Sequence, residues 1–100
     1  RENVFFPDDS DAEFNTFHTF VIQVDQRDNL KEHLTSVGIE TAVHYPVPIH
    51  LQPACKDYNI GNYPNTEDQA KKILTLPIHQ YLDEENLTRV AIEINHFFKK

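Results

Sequence analysis

The chain has 100 residues, 39% of them hydrophobic, with no Trp, no Met and only two Gly. That length supports one modest core, burying roughly two-thirds of the surface the unfolded chain exposes. Nine Lys plus Arg against sixteen Asp plus Glu give a net charge of −7, which argues against nucleic-acid and anionic-membrane partners, and no apolar run approaches the roughly 18 residues of a spanning helix.

Arg1 to Ala12 mixes the apolar patch Val4-Phe5-Phe6 with Pro7 and the acidic residues Asp8, Asp9 and Asp11, which are costly to bury. Residues 1–16 are therefore expected as an exposed arm or lead-in, and 17–100 as the folded core. From Phe17 to Val24 the chain turns aromatic and β-branched, with His18, Phe20, Ile22 and Val24 on one side of an extended strand. Asp25 stands where a helix N-cap belongs. Leu30, Leu34 and Val37 follow at helical spacing and Gly38 suits a left-handed C-cap, which predicts a helix over 26–37. Ile39 to Tyr45 alternates as a second strand. Pro46, Pro48 and Pro53 then impose a constrained, mostly extended loop over 44–53.

Turn residues Asn59, Gly61, Asn62 and Pro64 lead into a helix with Thr66 and Gln69 at capping-box spacing and Ala70, Ile73 and Leu74 on one face. Leu76-Pro77-Ile78 ends it and is expected to return as a short strand. Asp83 is the last N-cap, flanked by Leu82 and Leu87 at hydrophobic-staple spacing. Leu87, Val90, Ala91, Ile94 and Phe98 mark the buried stripe of a final helix. The sum is an α+β two-layer sandwich: a small, mostly antiparallel sheet with about three helices packed on it.

The densest polar segment is His44-Tyr45-Pro46-Val47-Pro48-Ile49-His50-Leu51-Gln52-Pro53. Three prolines fix φ three times, and a loop so stiffened can hold donors and acceptors in place for hydroxyls or a phosphate. The same stiffness suits a rigid connector whose polar groups satisfy its own backbone, and both readings stand. His44, His50 and Cys55 match no standard structural zinc spacing, so no metal is expected. Cys55, the one cysteine, leaves no internal disulfide, fits a reducing compartment, and reads as a small core residue rather than a nucleophile. Arg27 opens the first helix against the macrodipole, which suggests a pair with an acidic neighbour ahead of contact with an anionic ligand. No glycine-rich phosphate loop exists. The chain opens at Arg1 with no signal-peptide pattern and reads as an excised piece of a longer protein.

Gly38-Ile39-Glu40-Thr41 followed by His44-Tyr45-Pro46-Val47-Pro48-Ile49-His50-Leu51-Gln52 resembles the C-terminal small domain of the DegT/DnrJ/StrS-type sugar aminotransferases. His18 to Val24, Arg27, Leu30, Leu34, Tyr63-Pro64, Glu67, Ala70 and Leu76-Pro77 follow the same pattern, so the likeness spans about residues 17 to 95. Gln80 departs from it, where the family usually has a second proline. The resemblance implies a parent enzyme of the aspartate-aminotransferase fold that uses pyridoxal phosphate (PLP) to move an amino group from glutamate to a nucleotide-linked keto-sugar. Polysaccharide or amino-sugar biosynthesis in the cytoplasm would be its setting. It also implies that the Schiff-base lysine lies outside this chain, that 1–100 is one small domain closing a cleft formed at a homodimer interface, and that the piece alone is inactive. By this carry-over His44 and Tyr45 face the nucleotide-sugar, while His50 and Gln52 are further substrate-binding candidates that hold the loop in shape. The alternatives are a PLP-dependent sugar dehydratase of the same family and a non-catalytic partner-binding domain.

Overall fold

Alternation along Phe20–Val24 builds the middle of the molecule. A computed structural model describes residues 3–6, 8, 19–58, 61–77 and 82–99. Within these, Val4–Phe5 forms β1, Phe20–Val24 forms β2 and Ile73–Leu76 forms β3, in an antiparallel sheet of order β1-β2-β3. Ile22 and Val24 of β2 and Leu74 of β3 are buried, with Ile22 opposite Leu74 and Phe20 opposite Leu76. Three helices accompany the sheet: α1 at Arg27–Ser36, α2 at Pro64–Lys72 and α3 at Glu84–Phe98. Leu30 and Leu34 of α1 and Ile94 of α3 join the strand residues and Ile39 in one core cluster. The α+β class with three helices on a small antiparallel sheet is as the sequence indicates.

The helix ends show how local chemistry fixes this frame. At the end of α1, Gly38 takes φ +85°, its N–H donates to the Thr35 carbonyl at 3.1 Å, and the Ile39 N–H donates to the Leu34 carbonyl at 2.8 Å. This is a complete Schellman motif, and Ile39 and Leu34 both belong to the core cluster. At the start of α3, Asp83 caps as its position indicates, its side chain accepting the Asn86 N–H at 2.8 Å. Arg27 is structural. Its Nη1 donates to the carbonyls of Ala70 at 2.9 Å and Ile73 at 3.0 Å, and its Nε to Asp28 at 2.7 Å. The guanidinium thus satisfies carbonyls at the end of α2 and also pairs with Asp28, the acidic neighbour expected.

Several expectations change. Val4–Phe5 is no exposed arm: it pairs with β2, Val4 opposite Val24, and Val4 and Phe6 pack on the core. An open edge of β2 and apolar residues two apart outweigh the acidic cluster that follows them in sequence. The strand foreseen over Ile39–Tyr45 shrinks to one bridge, Ala42 to Thr75, because Ile39 is spent on the helix cap and the prolines begin at 46. Asp25 does not cap α1. Gln26 holds the N-cap position at φ +54° without a side-chain cap hydrogen bond, while the Asp25 N–H donates to the Asn3 carbonyl. Helix α2 starts at Pro64, whose ring suits the first helical position, and not at the capping box inferred from Thr66. It stops at Lys72, so Ile73 and Leu74 leave the helix face assigned to them and pair with β2. The β-rich run Ile-Leu-Thr-Leu gains more from two cross-strand neighbours than from one more helical turn.

On α3, Leu87 and Ala91 stay exposed, lining with Val4, Phe6, Phe20 and Leu76 an open apolar groove of about 530 Å³. Phe97 packs instead, its ring 5.5 Å from that of His33, whose Nε2 lies 3.2 Å from Glu93. Cys55 is half-buried on a surface turn rather than in the core. His18, Asn59, Ile78, Gln80 and the acidic residues Asp9 and Asp11, on which expectations were also placed, lie outside the described residues. No helix among the described residues is long and apolar enough to cross a membrane.

Candidate functional site

The proline-rich segment leaves the sheet at Ala42, which exchanges two backbone hydrogen bonds with Thr75, at 2.7 and 3.1 Å. From that anchor it runs out past a cis peptide between His44 and Tyr45 into two short 3-10 turns, Ile49–Leu51 and Pro53–Cys55. The loop is therefore turned rather than mostly extended. The Leu51 N–H donates to the Pro48 carbonyl and the Cys55 N–H to the Gln52 carbonyl. Prolines supply the flanks and the non-proline amides close the turns.

The four residues singled out in sequence separate into two pairs. His44 and Tyr45 lie outside: Tyr45 is 72% exposed, and the two rings meet edge to face with centroids 5.2 Å apart. His44 Nδ1 lies 3.0 Å from Thr75 Oγ1, so the imidazole is tethered through one nitrogen to a buried strand residue. His50 and Gln52 contact the protein's own groups, His50 in the interior and Gln52 at the surface. The His50 side chain is only 6% exposed and stacks edge-on against Tyr63 at 4.9 Å. Its Nε2 is buried without a hydrogen bond, 3.6 Å from Glu67 Oε2. Glu67 in turn accepts the Tyr63 N–H at 3.1 Å. Gln52 Nε2 donates to the Val47 carbonyl at 2.9 Å, pinning the loop across itself.

Two supporting residues escaped the sequence reading of the site. Thr75 is the one polar residue of the strand Ile73–Leu76 and points to the face opposite Leu74 and Leu76; that polarity inside an apolar strand was its signal. Glu67 was visible only as part of a pattern, because its role depends on the first turn of α2 lying against the loop. Around them the loop exposes apolar side chains, Ile49 at 80% with Leu51, Val47 and Tyr58 also exposed. Among the described residues no three His, Cys, Asp or Glu side chains gather to hold a metal ion. The arrangement can offer hydrogen bonds and an aromatic surface to a ligand.

Residues 2–95 match the model of the DegT/DnrJ/EryC1/StrS aminotransferase family. The chain is 41% identical over 73 residues, 71% of its length, to the erythromycin biosynthesis sensory transduction protein EryC1 of Saccharopolyspora erythraea, covering 20% of that protein. It is 40% identical over 86 residues, 84% of its length, to the dTDP-3-amino-3,4,6-trideoxy-alpha-D-glucose transaminase of Streptomyces venezuelae, covering 23% of it. Among solved structures, S. venezuelae DesV in complex with a ketimine intermediate superposes with a TM-score of 0.88 at 31% identity, over 98% of this chain and 27% of that one. The chain thus spans about a quarter of the length of such relatives.

Proposed function

The chain belongs to the DegT/DnrJ/EryC1/StrS aminotransferase family, and from that premise we propose that it is the C-terminal small domain of a PLP-dependent enzyme transferring an amino group from glutamate to a nucleotide-linked keto-sugar. Its loop 44–52 contacts the nucleotide-sugar at one wall of the active-site cleft. The observation that carries this reading is the division of the loop. His50 and Gln52 are committed to holding its shape, which leaves His44 and Tyr45 presented outward on a stiff support. Preorganised donors on a rigid element are what recognition of sugar and phosphate oxygens requires.

Lys31 Nζ is bonded to Thr41 and Lys72 pairs with Asp68. The likeness to the family puts the Schiff-base lysine outside this chain, and with it PLP, which supplies an electron sink when bound. The exposed apolar residues Ile49, Leu51 and Tyr58 suit burial against that remainder or against a second subunit, in keeping with a homodimer. A cytoplasmic setting and service to polysaccharide or amino-sugar synthesis belong to the same proposal.

The test is made on the full-length protein. Its visible spectrum with PLP should change on addition of glutamate, and His44→Ala and Tyr45→Phe should each raise KM for the nucleotide-sugar while leaving the cofactor spectrum unchanged. Loss of PLP binding in either variant would show that the loop serves the cofactor instead.

A further inference from the structure

The contact between His44 and Thr75 carries more than a tether. A threonine hydroxyl has one proton to donate and two lone pairs, and a neutral imidazole has one N–H and one bare nitrogen. Thr75 is 8% exposed, and His44 Nδ1, at 3.0 Å, is the hydrogen-bond partner its hydroxyl has among the described residues. If the neutral ring carried its proton on Nδ1, that N–H would occupy a lone pair of Oγ1 and the buried O–H would be left without an acceptor among the described residues. With Nδ1 bare, the O–H donates to it and both groups are satisfied. The hydroxyl is also well fixed. Thr75 is β-branched, pairs with Val21 on one side and holds Ala42 by two backbone bonds on the other. The Tyr45 ring stands edge-on to the imidazole, centroids 5.2 Å apart.

We propose that Thr75 is a positioning residue that locks neutral His44 as the Nε2–H tautomer, so that the loop meets its ligand with a hydrogen-bond donor and selects an oxygen acceptor there. The consequence for the ligand rests on the reading of His44 as substrate-facing; the tautomer rests on the structure alone. The imidazole donates whether neutral or protonated, since Nε2 carries a proton in both states. Substrate contact at this point therefore does not require the ring to be charged.

The tautomer is read directly by 15N NMR of the full-length holoenzyme labelled in its histidine rings, with His44 assigned as the signal missing in His44→Gln. Wild-type His44 is expected to show a protonated Nε2 and a bare Nδ1 when neutral. In Thr75→Val, which keeps the shape and removes the hydroxyl, that preference should relax to a mixture, and Thr75→Ser should restore it. Binding of UDP, dTDP, UDP-glucose and dTDP-glucose is then measured by calorimetry. Thr75→Val should weaken whichever wild-type binds by roughly five- to tenfold, with Thr75→Ser close to wild type. A loss shared by the free nucleotides places the acceptor on a phosphoryl group; one confined to the sugar nucleotides places it on the sugar.

A wild-type ring protonated on Nδ1, or a tautomer unmoved in Thr75→Val, overturns the proposal, and the wild-type measurement needs no variant to fold. The expected tautomer together with a His44→Ala variant that binds as wild type overturns the reading of the loop as substrate-facing, and with it the selection of an acceptor.

Discussion

The sheet with α1 and α3 and the loop at 44–53 are held in opposite ways. In the first, order comes from burial: Leu30, Leu34 and Leu74 are fully enclosed, and the middle strand β2 pairs with both β1 and β3. In the second, order comes from the covalent chain, through prolines and a few hydrogen bonds, while Ile49 and Tyr45 stand almost free. Burial fixes a shape cooperatively, so one lost contact is felt throughout. Proline stiffness is local and leaves the outward side chains unspent. The two kinds of order meet at Thr75.

Substitutions on the two sides sharpen that contrast. The largest effect is expected for Leu74→Ala, which opens a cavity at the centre of the core and should cost about 2–5 kcal/mol in urea unfolding of the chain. Arg27→Met comes next. It removes the donor to two carbonyls while keeping much of the side-chain volume, and should cost about 1.5–3 kcal/mol by the same measurement. Ile49→Ser should be nearly silent in unfolding, within about 0.5 kcal/mol, because its side chain is mostly in water already. Yet in the full-length protein it should disturb either domain packing or subunit association, read by analytical ultracentrifugation. A large unfolding cost for Ile49→Ser would break the distinction between the two regions.

How much of this was legible in the sequence follows the same division. The Gly38 cap, the Asp83 cap and the alternation of β2 are local rules written in neighbouring residues, and they are found where the pattern puts them. The β1 edge and the early end of α2 were not legible, because each is decided by pairing with a distant segment, and the second strand was read too long because the helix cap claims Ile39. The loop residues were legible as a set, through their prolines and their resemblance to a family. Their separation into outward His44 and Tyr45 and the loop-holding His50 and Gln52 was not. It depends on Tyr63 and Glu67 arriving at the start of α2, and on Thr75, which is 31 positions from His44.

The clasp of Arg27 on Ile73 joins points 46 residues apart, and the Ala42–Thr75 bridge closes a shorter circuit that overlaps it. The proline-rich loop is an excursion from a ring that is already shut. Lengthening such an excursion costs little, since closure entropy grows only with the logarithm of loop length and doubling it adds about 0.6 kcal/mol. The stretch from Pro46 to Tyr58 can therefore gain or lose residues at little cost to the sheet and helices it leaves and rejoins.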